Sequence, residues 1–407
     1  MFEDIRKTHI NRLFALSVVL LLVFGLLTVF SASYNPEEQG MSSFFERQVI
    51  WVLLGLIACG IGFFTPLNIL KGSVFALYGF LILLLLLLEV IPQGSSSSTR
   101  WFNLGFVQFQ PSEFMKPILV LTLARFLTDR FEGPNDVRTL ALYFFLVLLP
   151  FALVLKQPDL GTSLVFIAVT IPLLYWRGLS PFIIFILCSP FFSFIASFNF
   201  WSFFFVIILI SAVIYLSKRT SLIFWAVFGL NIFVGILAPI LWNKLHDYQQ
   251  KRVLTFLGLI TDPKGVGYQI IQSKVAIGSG GLFGKGFLEG TQTQLRFLPA
   301  QHTDFIFSVL AEEWGFGGSI LFLAILFLFL QQTLKIACAV KDPFSSLVVV
   351  GFVTIFGFQA FVNIGMTLGI MPVTGIPLPF ISYGGSSMIS SMLMVGIIAN
   401  ISRSRFT

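Results

Sequence analysis

Residues 243–304, NKLHDYQQKRVLTFLGLITDPKGVGYQIIQSKVAIGSGGLFGKGFLEGTQTQLRFLPAQHTD, form the one long polar interval in a very apolar chain. The stretch is rich in glycine, carries both charge signs and ends in an aspartate that opens another apolar run. Connections this long are uncommon unless they have work to do. The apolar remainder is therefore expected to be scaffold and this stretch part of the working surface.

On either side of it, apolar runs of nearly 20 residues recur, the length needed to cross a bilayer core of roughly 30 Å. The chain has 407 residues, 57% hydrophobic and 11% charged, where a soluble domain carries roughly 25% charged residues. The expected fold is an all-α polytopic membrane protein with about 10–12 transmembrane helices, one membrane domain over residues 1–407, and 243–304 as a large extracytoplasmic loop within it. Fifty phenylalanines suit a lipid-facing surface. The +7 net charge is spread among loops, so topology accounts for it and a nucleic-acid partner is not expected. Cys59, Cys188 and Cys338 lie in or beside apolar segments, which argues against a disulfide framework or a zinc site. The N-terminal run Leu13 to Phe30 exceeds the roughly 7–15 residues of a signal-peptide core and is read as an uncleaved first span.

Twelve spans are expected, near 12–33, 48–65, 72–91, 113–128, 139–156, 161–176, 181–197, 200–217, 221–242, 305–331, 345–367 and 384–402. An even count puts both termini on one side. With that side cytoplasmic, inner segments hold 14 of the 25 Lys and Arg residues and short outer segments hold 4: Arg47, Arg100, Lys116 and Lys156. The positive-inside rule favours this orientation. The remaining 7 sit in 243–304, a concentration that suggests an anionic ligand. Four polar segments then share the outer face: 100–116, 155–163, 243–304 and 366–387. The last is too dense in Gly and Pro for an uninterrupted helix. Non-helical backbone at membrane depth is tolerated where it is buried in protein or lines a cavity.

Five stretches, RWFNLGFVQFQPSEFMK (100–116), KQPDLGTS (156–163), GYQIIQSKVAIGSGGLFGKGFLEGTQTQ (267–294), FLPAQHTDFIFSVLAEEWGF (297–316) and GIPLPFISYGGSS (375–387), resemble in this order the SEDS family, the peptidoglycan glycosyltransferases of shape, elongation, division and sporulation. They span nearly the whole chain. HDYQQKR and GYQIIQSK look more like the elongation (RodA-like) branch than the division branch. Family members usually have ten spans, so this chain is expected to carry two more within 181–242. Arg296 stands where members often have an acid, which removes an accessory acidic role there.

The resemblance implies that lipid II units are joined outside the membrane. The acceptor 4-hydroxyl attacks the anomeric carbon of a lipid-linked donor, and undecaprenyl pyrophosphate leaves. Such chemistry needs a base near the hydroxyl and cations near the leaving group. Asp304 matches the family's essential aspartate. By its position it is either that base, with a pKa raised by partial burial, or a helix N-cap after Thr303; an ionisable group at membrane depth favours function. The motifs carry over Arg100, Trp101, Glu113, Lys116, Lys156, Asp159, Gln272, Lys274, His302, Thr303, Ser382 and Ser386 as substrate-binding candidates. Glu113 and Lys116, three apart, can equally pair with each other. Trp101 can stack on a sugar or sit in an interfacial belt. Lys156 and Asp159 can pair locally or face the substrate, while Pro158 and Gly161 set the turn. His302 is read as a hydrogen-bonding neighbour of Asp304 before a metal ligand.

Ser308 and Glu312 share a helix face with Asp304. Glu312 and Glu313, about 12 Å deeper, need partners, for which Lys116 or Arg100 could serve. The glycines of 278–286 either present backbone N–H groups to phosphate or form a flexible loop; they lack the spacing of a nucleotide P-loop. No His/Cys/carboxylate cluster has zinc spacing. The sequence shows no cofactor and leaves open one divalent cation, Mg2+ or Mn2+, bridging pyrophosphate and Asp304. The expected location is the cytoplasmic (inner) membrane, and the partners implied are lipid II, a class B penicillin-binding protein (a transpeptidase), the elongation machinery and membrane lipids. A lipid II flippase and a non-catalytic elongation scaffold are the alternatives. A transporter alternates access about a midplane site, often through inverted repeats, and no obvious inverted repeat is present.

Overall fold

The computed structural model describes residues 11–34, 43–90, 100–103, 108–130, 137–217, 221–244, 247–256, 266–295 and 297–404. Arg296, His246 and the Gly/Ser run 94–98 lie outside them. The chain divides into two compact units, the smaller being Gly133–Asn135 with Gly178–Thr261.

The larger unit holds α1 (Arg12–Ser33), α2 (Ser43–Phe64), α3 (Leu67–Val90), α4 (Pro111–Arg130), α5 (Val137–Lys156), α6 (Leu160–Trp176), α11 (Val266–Ser279), α12 (Thr291–Gln294), α13 (Ile306–Ala339), α14 (Pro343–Thr367) and α15 (Gly385–Ser404). A two-residue antiparallel hairpin, β1 (Phe102–Asn103) with β2 (Gln108–Phe109), precedes α4. The smaller unit holds α7 (Pro181–Ala196), α8 (Phe200–Leu216), α9 (Ser221–Lys244) and α10 (Asp247–Phe256).

Among the described residues, eight helices are long and apolar enough to cross a membrane: α1, α2, α3, α5, α9, α13, α14 and α15. The protein is an all-α polytopic membrane protein. Each of the twelve expected spans falls on a helix, but four fall short of that criterion. Helices α6, α7 and α8 have 16 or 17 residues, about 25 Å at 1.5 Å per residue. Helix α4 has 20 residues but carries Glu113, Lys116, Arg125, Asp129 and Arg130.

The apolar exterior fits a lipid solvent. Ile50, Leu54, Ile57 and Ile61 form an exposed stripe on α2, while the opposite side of that helix packs on α15. Lipid supplies no hydrophobic drive between helices, so close backbone approach must hold this pair. Gly62 and Gly396 permit it: a Cβ on Gly396 would meet the Cys59 carbonyl at 2.1 Å, and one on Gly62 the Leu393 carbonyl at 2.8 Å. Helix α14 is the most enclosed span of the larger unit after α15, and it packs on α4, α6 and α13. In the smaller unit α7, α8 and α9 pack on one another. Buried Asn231 joins two of these helices: Nδ2 donates to Ser189 Oγ at 3.0 Å, and Ser193 Oγ donates to Oδ1 at 2.7 Å.

The polar interval 243–304 is less of a loop than the sequence suggests, since α10, α11 and α12 form within it. Helix α11 packs on α13, burying Ile270 with Leu298, Phe305, Met366 and Val373. The glycine run that follows is a fixed insert in α13. That helix breaks at Gly315 (φ 65°, ψ −163°). The bonds that would run from Phe316 and Gly317 N–H to the Glu312 and Glu313 carbonyls are exchanged for bonds to the insert. Phe316 and Gly317 donate to Gly281 and Leu282 carbonyls at 2.9 and 3.0 Å, and Lys285 and Gly286 donate to Glu312 and Glu313 carbonyls at 3.1 Å each. These two N–H groups are therefore spent on the helix rather than offered to phosphate.

Candidate active site

A cavity of about 820 Å³ opens in the larger unit. All four polar segments reach it: Arg100, Trp101, Gln110 and Glu113 from the first, Asp159 and Thr162 from the second, Thr303 and Asp304 from the third, and Gly375, Pro377 and Tyr383 from the fourth. Helix α2 supplies the remaining wall with Phe44, Arg47, Ile50, Trp51 and Leu54.

Asp304 lies in the turn before α13, half-buried. It is not the helix cap. Phe305 holds that position, with no side-chain capping bond. The Asp304 N–H donates to the Ala300 carbonyl at 3.1 Å. Thr303 beside it also lines the cavity. The His302 ring rests against Phe44 and Tyr383, centroids 4.5 and 5.9 Å away, and burial pushes its pKa below the ordinary value.

The other charged groups differ in how far they are already committed. Lys116 Nζ and Glu113 Oε2 are 2.6 Å apart, at 2% and 5% exposure. Arg100 gives its guanidinium to two backbone carbonyls, Gln157 (3.1 Å from Nε) and Pro158. Asp159 caps α6, accepting from Thr162 N–H at 3.1 Å, Thr162 Oγ1 at 2.9 Å and Gln110 Nε2 at 3.1 Å. Lys156 does not pair with it; its ammonium reaches Glu89 at 2.7 Å. Arg47 is exposed, and among the described residues no hydrogen bond or ion pair holds its guanidinium. It is the uncommitted cation of the wall, and in the sequence it stands only as one of the four basic residues of the short outer segments. Its place as a basic residue at the mouth of an apolar run does not by itself mark it as the available one.

Two serines of the C-terminal motif serve backbone. Ser382 Oγ donates to the Thr303 carbonyl at 2.6 Å and accepts from Leu378 N–H at 2.8 Å. Ser386 Oγ accepts from Gln110 N–H at 3.2 Å. Gln272 and Lys274 lie on α11, and neither lines the cavity. The neighbouring Ser273 is the buried one, bonded to Ser308 Oγ and the Thr367 carbonyl at 2.6 Å each.

The expected partners of the deep carboxylates are corrected. Glu312 is paired by Lys285 of the glycine insert at 2.8 Å, not by Lys116 or Arg100. It also accepts from Gln292 N–H (2.9 Å), Thr293 N–H (3.1 Å) and Thr293 Oγ1 (2.9 Å), so α12 is held on it. Glu313 accepts from Ser31 Oγ of α1. Among the described residues no group of three or more His, Cys, Asp or Glu side chains could hold one metal ion.

The family model described as "Cell cycle protein" (FtsW/RodA/SpoVE) matches residues 11–204 and 181–406. The chain belongs to the FtsW/RodA/SpoVE family. The two matched stretches overlap across 181–204, which falls on α7 and the start of α8. Family members similar to this chain include the peptidoglycan glycosyltransferase MrdB of Escherichia coli K12, 37% identical over 97% of this chain and 94% of its own length. The peptidoglycan glycosyltransferase RodA of Treponema pallidum is 33% identical, over 96% of each chain. Among solved structures, one chain comes from work on a peptidoglycan synthase complex that coordinates polymerization and crosslinking. It shares 32% identity at a TM-score of 0.73, over 98% of this chain and 99% of that one. The family's rod shape determining protein RodA from Thermus thermophilus gives 28% and 0.63, over 97% of each.

Proposed function

We propose that this chain is a peptidoglycan glycosyltransferase that polymerises lipid II during cell elongation. The observation that carries the reading is that four segments distant in sequence meet in one cavity around Asp304. The family relatives named as peptidoglycan glycosyltransferases over nearly full length support the same reaction class.

In the proposed step the acceptor 4-hydroxyl attacks the donor anomeric carbon. Its proton passes to the Asp304 carboxylate. The bond from that carbon to the pyrophosphate oxygen breaks, and its electron pair leaves with undecaprenyl pyrophosphate. Positive charge near that oxygen lowers the barrier because charge develops there in the transition state. Arg47 is assigned this role, since the Arg100 and Lys116 charges are already engaged. The Glu113–Lys116 pair and Arg100 shape the wall, the latter by fixing the 157–158 turn. Trp101 and Tyr383 supply aromatic faces for sugar. The apolar stripe of α2 leads from the cavity along the lipid-facing surface and suits a polyprenyl chain.

The cavity is assigned to the extracytoplasmic side of the cytoplasmic membrane, with both termini in the cytoplasm, on the distribution of Lys and Arg. A class B penicillin-binding protein and the elongation machinery are the proposed partners. The structural likeness to a chain of a peptidoglycan synthase complex supports this.

The test is polymerisation of lipid II by purified protein. Asp304→Asn should leave the protein folded and its partner bound while abolishing glycan chains. Polymer formed by that variant would remove the mechanism. Translocation of lipid II across liposomes by a polymerase-dead variant would point instead to a flippase.

A further inference from the structure

Three successive peptide carbonyls at the proposed base are captured by the C-terminal part of the chain. The Tyr383 N–H donates to the His302 carbonyl at 2.9 Å. Ser382 Oγ donates to the Thr303 carbonyl at 2.6 Å. Asn363 Nδ2, near the C-terminal end of α14, donates to the Asp304 carbonyl at 3.0 Å. The same amide donates to the Ile376 carbonyl at 2.7 Å. Asn363 is fully buried, and its Oδ1 has no partner among the described residues, so its polar work is done through Nδ2.

The residue next to Ile376 lies close to the carboxylate. A Cβ built on Gly375 would lie 3.6 Å from Asp304 Oδ2. One amide thus ties the backbone of the proposed base to the stretch of wall beside that base's carboxylate. The carbonyls of 302–304 precede α13, and Ser308 N–H goes to the Phe305 carbonyl rather than to that of Asp304. A carbonyl buried without a donor is costly, so the Asn363 amide selects this turn conformation over others.

We infer that Asn363 is a positioning residue for the transfer reaction, setting the gap between the Asp304 carboxylate and the 375–376 wall. This rests on Asp304 as the base. Misplacement of a catalytic group by about 1 Å costs on the order of 100-fold in rate.

The experiment compares Asn363→Ala with Asn400→Ala in lipid II polymerisation. Asn400 is a control of the same kind: its buried Nδ2 ties the Gly62 and Thr65 carbonyls at 3.3 and 2.6 Å and does not line the cavity. Asn363→Ala should lower kcat roughly 10- to 100-fold with KM within about 2-fold. Asn400→Ala should lower thermal stability comparably and leave kcat near wild type. If Asn363→Ala does not fold, Ser382→Ala breaks the adjoining bond and carries the same expectation. Wild-type kcat in the Asn363 variant, with Asp304→Asn inactive, overturns this inference alone, as does an equal kcat loss in both Asn variants. Activity retained by Asp304→Asn removes the base assignment instead.

Discussion

The His302 imidazole is packed against Phe44 and Tyr383, and burial lowers its pKa from the ordinary 6.5. Folding therefore favours the neutral ring. The stability this residue supports is complete above about pH 6.5 and is lost progressively below it, where the unfolded chain binds a proton that the folded one resists. The unfolding temperature of wild type should fall more steeply between roughly pH 7 and 5.5 than that of His302→Phe, which keeps the ring contact. Superimposable pH profiles would sink this account. Asp304 was legible in the sequence because a carboxylate at the mouth of an apolar run is costly without a purpose. Arg47 was not, because its significance depends on the other cations being spent. Arg100 is consumed by the Gln157 and Pro158 carbonyls and Lys116 by Glu113, and only the first of these engagements crosses sequence distance. The i,i+3 spacing of Glu113 and Lys116 made that pair readable as local.

Helix α13 shows what a single element owes to its neighbours. Its break at Gly315 is stabilised by four backbone bonds to residues 281–286 and by the Lys285–Glu312 pair. A side chain at Gly315 would adopt a positive φ, and its Cβ would meet Gly284 N at 2.2 Å. Gly315→Ala is expected to cost about 3 kcal/mol from backbone strain and overpacking. Thermal unfolding in detergent micelles would check it, and a wild-type midpoint would mean that the helix can run through unbroken. From sequence alone, α13 was a plain apolar span and the glycine run a loop. The segment MTLGIMPVTGIPLPFISYGGSS (366–387), in contrast, excludes an uninterrupted helix on sequence alone, because Pro and Gly at that density preclude the helical ladder. Helix α14 ends at Thr367, and irregular backbone runs on to α15.

At the scale of the molecule, the proposed orientation makes a sharp prediction. In a background with Cys59, Cys188 and Cys338 replaced, a cysteine at Phe283, which is 92% exposed in the glycine insert, should react with a membrane-impermeant maleimide added to intact cells. One at Arg403 in the last turn of α15 should react only after the membrane is opened. The reverse pattern would place the Asp304 cavity on the wrong side for lipid-linked donors and end the enzyme assignment. The sequence by itself determined the class of fold, the place of each apolar helix and the segments that carry polar groups. Those follow from local length, periodicity and the cost of placing charge in lipid. Only the tertiary structure decided that the four polar segments share one cavity, that α2 provides its fifth wall, and which charges within it stay available. Pairing between residues far apart along a chain is set by how helices pack, and a one-dimensional pattern of hydrophobicity holds no record of that distance.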